Sequence, residues 1–464
     1  MKKIGIIGCG FSGTMVAVHL IRNTTEAMEL IMIDPSADTG KGIAYTPYSK
    51  KHLLNVVTEK MSAFKHDTAH FLEWVLQQKD FSDSDRNILS QSFLPRYLYG
   101  AYLQNIWQEA LQEAETKQCK ITRMCDAATD IEYIDDGIKL YLKDGIEIVV
   151  DECVIATGNH TPGNVKINNT AFYESEFYFQ NPWKESTVTN LDSSLPVFII
   201  GNGLTMVDTI IGLHEKGFSN EIYSISNNGF NILPHRHIGV QYKDLANELP
   251  SKIDLLSILH LFNKHIKKIK KFGLSAEPII DSLRPYTQKI WQALSDKEKK
   301  VFMGRLRHLW GLARHRIPLH IHDYIQQLRI HNKLHIIAGK IIDIERNEND
   351  CSVRYYDKRL HQERTIKVAR VINCTGPETN LEKAGHLLLK KAIEKGYITQ
   401  DPLHIGINAN PSSFEVLNRE AQSMKHLYTL GGNLKGVLWE STAVNELRDQ
   451  AERLAIHILD TNRS

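Results

Sequence analysis

The chain has 464 residues, 42% hydrophobic and 24% charged, with a formal net charge of +2. This is ordinary for a globular protein of two or three domains, and it excludes a disordered or collagen-like chain. Near-neutral charge argues against a nucleic acid partner, and no apolar run is long enough to predict a membrane span.

The first element in chain order is a short apolar strand, Lys3-Ile4-Gly5-Ile6-Ile7, entering Gly8-Cys9-Gly10-Phe11-Ser12-Gly13. An apolar-faced helix is predicted from Thr14 to about Ile21. A second strand, Leu30-Ile31-Met32-Ile33, then ends at Asp34. Gly8 suits a tight turn, Gly10 a close pyrophosphate, and Gly13 close helix–strand packing. The helix N-terminus offers free N–H groups to phosphates, and Asp34 offers acceptors to an adenosine ribose. These parts in register point to an adenine dinucleotide. The opening Met-Lys-Lys faintly imitates a signal peptide, but the strand and its glycines account for it better.

Lys120 to Val150 reads as a small antiparallel β-meander with turns at Asp135-Asp136-Gly137 and Lys143-Asp144-Gly145. It runs into Val154-Ile155-Ala156-Thr157-Gly158. A second strand–glycine–helix unit follows: Pro196 to Ile200, then Gly201-Asn202-Gly203-Leu204-Thr205-Met206-Val207-Asp208, a helix to about Lys216, and a strand Glu221–Ser226. Its third glycine is missing, replaced by Val207 or a neighbour. Residues 252–330 are expected to be mostly helical. Lys264, Lys267, Lys268, Lys270 and Lys271 make one helix there basic; a solvated face is the more ordinary reading than a lipid or partner surface. Strands around 341–356 and 365–368 lead into Asn373-Cys374-Thr375-Gly376-Pro377. Two strand ends of similar sequence, at 156–158 and 374–376, suggest a chain that leaves one domain and returns to it.

Cys9, Cys119, Cys125, Cys153, Cys351 and Cys374 show no C-x-x-C spacing. That argues against a redox disulfide or zinc site and fits a reducing, cytoplasmic setting. His308, Arg314, His315, Arg316, His320 and His322 lack a paired-histidine spacing with a carboxylate on one helical face, so no metal is expected. Arg314 and Arg316 remain candidates for substrate or phosphate contact.

Further ordered motifs are Gly42-Ile43-Ala44-Tyr45, His52-Leu53-Leu54-Asn55-Val56, Met61-Ser62-Ala63, Pro95-Arg96-Tyr97-Leu98-Tyr99-Gly100, and Leu438-Trp439-Glu440 with Glu446-Leu447-Arg448. With both glycine turns, Ala156-Thr157-Gly158 and Arg314-His315-Arg316, they resemble the two-dinucleotide-binding-domain flavoproteins. Closest in pattern are bacterial FAD/NAD(P)-binding oxidoreductases distantly similar to flavin-dependent N-hydroxylating monooxygenases. The fold this implies is α/β, an FAD-binding Rossmann-like three-layer domain with a small β-meander. Its parts are 1–160 and 346–464, and a second nucleotide-binding domain, 195–345, is inserted with helical region 252–330.

The resemblance implies FAD along Gly8, Gly10, Phe11, Ser12 and Gly13, with its ribose on Asp34 and Thr157-Gly158 nearby. Gly431 and Gly432 would pass the ribityl chain and pyrophosphate; many relatives have an Asp there, where Asn433 is the nearest polar group. A helix starting near Glu440 would point at the flavin. Asn55, Lys60, Met61 and Ser62 are candidates for the flavin face. Arg96, with Tyr97 and Tyr99, would either hold a carboxylate or phosphate or form a structural ion pair.

NADH or NADPH would sit on Gly201, Gly203 and Thr205. The neutral Ser226-Asn227-Asn228-Gly229 favours NADH unless His235-Arg236-His237 meets a 2′-phosphate. The expected function is an FAD-dependent, NAD(P)H-reduced oxidoreductase, in one form a monooxygenase acting on a small molecule bound between the helical region and the FAD domain. The alternative is an FAD- or nucleotide-binding redox sensor or accessory protein without turnover. No residue stands out as a general base.

Overall fold

The computed structural model describes residues 1–135, 137–236 and 242–461; Asp136 and His237 lie outside that set. Strand Lys2–Ile7 pairs in parallel with Met28–Ile33 on one side and with Glu152–Ile155 on the other. Helix Phe11–Asn23 crosses between the first two. Ser423–Thr429 and Glu415–Leu417 extend one edge, and Lys120–Met124 closes the other. Nearly every residue of the inner strands is apolar and buried, as a parallel sheet covered on both faces requires.

Helices Phe11–Asn23, Arg96–Thr116 and Val444–Asp460 cover one face through Met15, Leu103, Ile106 and Leu454. The opposite face carries a three-stranded antiparallel sheet, Ala128–Ile134, Gly137–Leu142 and Glu147–Val150, with helix Leu387–Glu394. This is the three-layer arrangement expected. The meander is shorter than its sequence suggests. Lys120–Met124 pairs in parallel with Met28–Ile33, because the helix Arg96–Thr116 before it makes a crossover.

The second sheet orders Gln362–Val368, Cys351–Asp357, Leu334–Arg346, Ile222–Ser226, Val197–Ile200, Arg370–Asn373 and Tyr178–Phe179. Its boundaries correct the expected ones. Tyr178–Phe179 already belongs to it, and the three strands from Cys351 to Asn373 complete it instead of returning to the first domain at 346. Alternating short strands carry no label for the sheet they join, which is why the sequence misplaces them.

Chain exit and return run side by side. Asn373 Nδ2 donates to Gly163 O at 3.0 Å and Glu378 N to Thr161 O at 3.4 Å. The His160 and His386 rings sit 5.5 Å apart.

The region 252–330 is helical as expected, from Leu255–Lys270 through Arg307–Arg314 to Leu319–Ile330. Its first helices pack around Leu245, Ile269, Ile279 and Leu283. Lys264 and Lys268 on the basic helix pair with Glu248 at 2.5 Å and Asp244 at 2.6 Å. Among the described residues, no helix is long and apolar enough to cross a membrane.

Candidate functional site

The two glycine turns share one geometry. Gly8 N donates to Ile33 O, and Gly201 N to Ile225 O, each at 2.8 Å. Ala156 N donates to Ile7 O at 2.7 Å, and Cys374 N to Ile200 O at 2.8 Å. Gly8 has φ +102° and Gly201 φ +109°; a Cβ would lie 2.2 Å from Ala156 O in one case and 2.4 Å from Cys374 O in the other. Only glycine accepts such a position. The strand ends at 156–158 and 374–376 are therefore counterparts in two sheets, not two passes through one domain. In each sheet the crevice lies at the carboxyl ends of strands where their order reverses, which is where dinucleotides bind in open parallel sheets.

The first turn gathers most of the expected residues. Helix Phe11–Asn23 begins at Gly10 with no side-chain cap, leaving its N-terminal N–H groups to a ligand. A Cβ on Gly13 would lie 2.0 Å from Gly8 O, so the helix start presses on the turn. Asp34 follows the second strand; its Oδ2 accepts from Cys9 N and its Oδ1 from Ser36 N, both at 2.8 Å, which fixes the carboxylate beside the turn. Gly431 has φ +72°, and a Cβ there would be 3.0 Å from Ser12 Oγ. A Cβ on Gly432 would be 3.2 Å from Asn159 Oδ1 and 3.8 Å from Gly158 O. Gly8, Gly10, Phe11, Ser12, Gly13, Asp34, Thr157, Gly158, Gly431 and Gly432 thus converge. Asn433 is buried among them, donating to Thr157 Oγ1 at 3.2 Å and Thr429 Oγ1 at 3.1 Å. It ties the last strand to the 155–157 strand end, so it acts as a brace. A dinucleotide's pyrophosphate fits this cradle of backbone N–H groups and glycines.

In the second unit, helix Leu204–Glu215 begins at Gly203, again without a side-chain cap, and a Cβ on Gly203 would meet nothing within 4 Å. Open space therefore fronts the N-terminus that carries Thr205. The missing third glycine is at Met206, the counterpart of Gly13, and not at Val207. Because Ile33 and Ile225 play the same part, the counterpart of Asp34 is Ser226. The stretch after it is not neutral in space. Lys358 Nζ donates to Asn227 O at 2.7 Å and Arg359 Nη2 to Gly229 O at 3.1 Å, from the hairpin turn after Cys351–Asp357. More than a hundred residues separate them, so sequence reading misses them; only the antiparallel strand pairing brings them there. His235 and Arg236 are engaged elsewhere, on Asn55 O at 2.9 Å and Glu277 at 3.2 Å.

Asn55 and Glu440 both bond to side chains of the inserted stretch. The Asn55 carbonyl accepts from the half-buried His235 ring, whose pKa desolvation holds down to about 4, so it is neutral near pH 7. Glu440 does not start a helix: it has φ +65°, which interrupts helical geometry, and the helix begins at Val444. Its carboxylate accepts from Trp310 Nε1 at 2.5 Å and Arg314 Nε at 3.0 Å. Arg316 pairs with Asp281, and the neighbouring His315 is exposed. Met61 and Tyr99 are core residues, whereas Lys60 is exposed. The Ser62 carbonyl accepts from Arg448 at 2.8 Å.

Arg96 resolves as an ion pair with the protein's own carboxylate, Asp208, at 2.9 Å. The contact between the helical region and the first domain, expected to hold substrate, is filled by side chains. Trp291 stacks on Trp439 with ring centroids 4.8 Å apart, Phe302 lies edge-on to both, and Trp291 Nε1 donates to Gly436 O at 2.7 Å. Lys435, Arg284 and Glu446 lie in this neighbourhood. Burial, then Arg307, lowers the Lys435 pKa, and burial raises that of Glu446. Burial also pushes the Cys9 and Cys374 thiols up to about 12, which makes them inert.

Comparison with known proteins bears on this geometry. Residues 5–160 match a family model described as FAD-NAD(P)-binding. The fold resembles ornithine N-hydroxylase from Kutzneria sp. 744, at 12% identity and TM-score 0.66, covering 100% of this chain and 99% of that one. It also resembles L-lysine 6-monooxygenase from Pseudomonas syringae, at 12% identity and TM-score 0.63, covering both chains fully (100%). A curated relative is trigger factor from Buchnera aphidicola, 25% identical over 273 residues, 55% of this chain. The chain spans about half (54%) of the length of the curated relatives it matches. At that identity and coverage the trigger factor likeness carries no function across. Residues 5–160 thus match the FAD-NAD(P)-binding family model, within a chain whose whole fold is similar to that of the Kutzneria and Pseudomonas proteins.

Proposed function

We propose that this protein is an FAD-dependent oxidoreductase reduced by NADH or NADPH, of the monooxygenase type, acting on a small molecule. One observation carries the reading: two glycine turns with the same hydrogen bonds sit in the parallel parts of two sheets of one chain. Residues Gly8 to Gly13 with Gly431 and Gly432 would hold the FAD pyrophosphate, and Asp34 its ribose. Gly201, Gly203 and Thr205 would hold the nicotinamide dinucleotide. The Kutzneria protein's structure contains reduced FAD, NADP+ and L-ornithine, which supports the reading that a chain of this fold holds both dinucleotides. When bound, FAD would accept hydride from the reduced nicotinamide and pass electrons on. The chain's part is to orient the two dinucleotides. Asn433 braces the strand ends beneath the first, and the Arg96–Asp208 pair sets the second helix against the first domain. By itself the neutral Asn227-Asn228 argues for NADH, while the basic hairpin laid over it argues for NADPH.

The alternative, a redox sensor or accessory protein without turnover, is favoured by close packing between the units. The cavity lined by Asn55, Arg96, Val207 and Pro318 is only about 20 Å³. Anaerobic mixing of FAD-loaded protein with NADH and with NADPH separates the two. Bleaching of the flavin by either nucleotide, with oxygen uptake on readmitting air, supports the oxidoreductase. FAD that stays oxidised with both nucleotides leaves the binding-protein reading.

A further inference from the structure

We propose that Lys358 and Arg359 form a subsite for the 2′-phosphate of NADPH, and so select NADPH over NADH. This rests on the reading that the second unit holds a nicotinamide dinucleotide. Three observations converge on it. The counterpart of Asp34 in the second unit is Ser226, so the carboxylate that would hold a ribose diol and repel a 2′-phosphate is replaced by a hydroxyl. The Ser226 oxygen accepts from Gly229 N at 3.0 Å, which leaves its own proton to donate. The hairpin turn is built into the carboxyl edge of the second sheet. Lys358 N donates to Ala338 O at 2.8 Å, and Ala338 is the register partner of Ser226.

The turn is fixed from below. Asp357 is buried, and its Oδ1 accepts from Arg359 N at 2.8 Å and Leu360 N at 3.1 Å. That oxygen is thus committed to the backbone of the turn. Each cation spends one donor on a loop carbonyl and keeps others: an ammonium has three and a guanidinium five. A phosphate with two negative charges at this edge would meet both cations and the Ser226 hydroxyl in charge-assisted hydrogen bonds. A ribose diol would use neither cation as well.

The test is equilibrium binding of 2′,5′-ADP and of 5′-AMP to the full-length protein by calorimetry, alongside anaerobic flavin reduction by NADPH and NADH. The unaltered protein should bind 2′,5′-ADP at least about ten-fold more tightly than 5′-AMP. The double variant Lys358→Ala with Arg359→Ala should lose that difference while 5′-AMP binding holds within about two-fold; Lys358→Arg should keep most of it. Equal affinity for the two ligands in the unaltered protein, or a difference that survives the double variant, overturns the subsite. A 2′-phosphate preference without flavin reduction by either nucleotide keeps the subsite and removes the oxidoreductase. Equal reduction by both nucleotides with no 2′-phosphate preference does the reverse.

Discussion

Arg96 and Asp208 meet at 2.9 Å across the boundary between the two dinucleotide units, and both are largely shielded from water. Arg96 Nε also donates to Leu53 O at 3.0 Å, and the His52 ring donates to the Asp208 carbonyl at 3.0 Å. Two motifs that are separate in sequence, one before the meander and one in the second glycine turn, therefore form a single contact. Its chemistry is that of a desolvated ion pair, with Arg96 Nε and the neighbouring His52 ring tied to backbone carbonyls.

Breaking such a pair strands a buried charge. Arg96→Ala or Asp208→Ala should each lower stability by about 3 kcal/mol, and the double variant should lose clearly less than the sum. Urea melts of the four proteins check this. Additive losses would mean that the two residues act independently.

Gly10 and Gly13 should respond differently to the same methyl group. A Cβ on Gly13 lies 2.0 Å from Gly8 O, so Gly13→Ala should disrupt the turn and cost both stability and flavin. On Gly10 the nearest atom is Gly42 Cα at 3.5 Å, an ordinary contact. Gly10→Ala should then cost only about 1 kcal/mol, as for other N-cap changes, yet place a methyl where the pyrophosphate passes. Flavin absorbance after gel filtration, set beside the thermal melt, reads the two effects. A Gly10→Ala protein that keeps its FAD would put the pyrophosphate elsewhere.

Acid should weaken the fold before its carboxylates protonate. Burial holds His19, His160 and His235 at pKa values of about 4, below the 6.5 of a free imidazole. The unfolded chain binds their protons first, so stability present above pH 6.5 is lost as pH falls toward 4. The slope is at most about 1.4 kcal/mol per pH unit for each histidine. Denaturant melts at pH 7, 6 and 5 measure it. A flat profile across that interval would mean the rings are solvated in solution.

Trp291→Phe keeps the stacking on Trp439 but removes the donor to Gly436 O, at a cost of about 1–3 kcal/mol for the stranded carbonyl. The loss should be local. Limited proteolysis should cut within 255–306 faster while the flavin spectrum stays unchanged. Unchanged cleavage would show that the indole N–H contributes nothing to docking.

Much of this was legible in sequence where the signal is local. Gly8 to Asp34 and Gly201 to Ser226 carry strand, turn and helix in one short stretch, and both fold as read. The same holds for the helical character of 252–330. Strand membership was not legible: Lys120–Met124 and the strands from Cys351 to Asn373 have the alternation of a meander, and only crossovers and pairing decide their sheet. Glu440 misleads for another reason. Helix-start composition surrounds it, but a left-handed backbone there delays the helix to Val444. The cations at Lys358 and Arg359 lie beyond any local rule, because a hairpin more than a hundred residues downstream delivers them.

Finally, the paired exit and return segments limit how the second unit can turn on the first. A single linker lets a domain swivel, whereas here Asn373 is bonded to Gly163 and Glu378 to Thr161 across two antiparallel leads. Rotation about the line joining the domains would shear those bonds. Together with the Arg96–Asp208 contact, the two leads fix the second unit at more than one point.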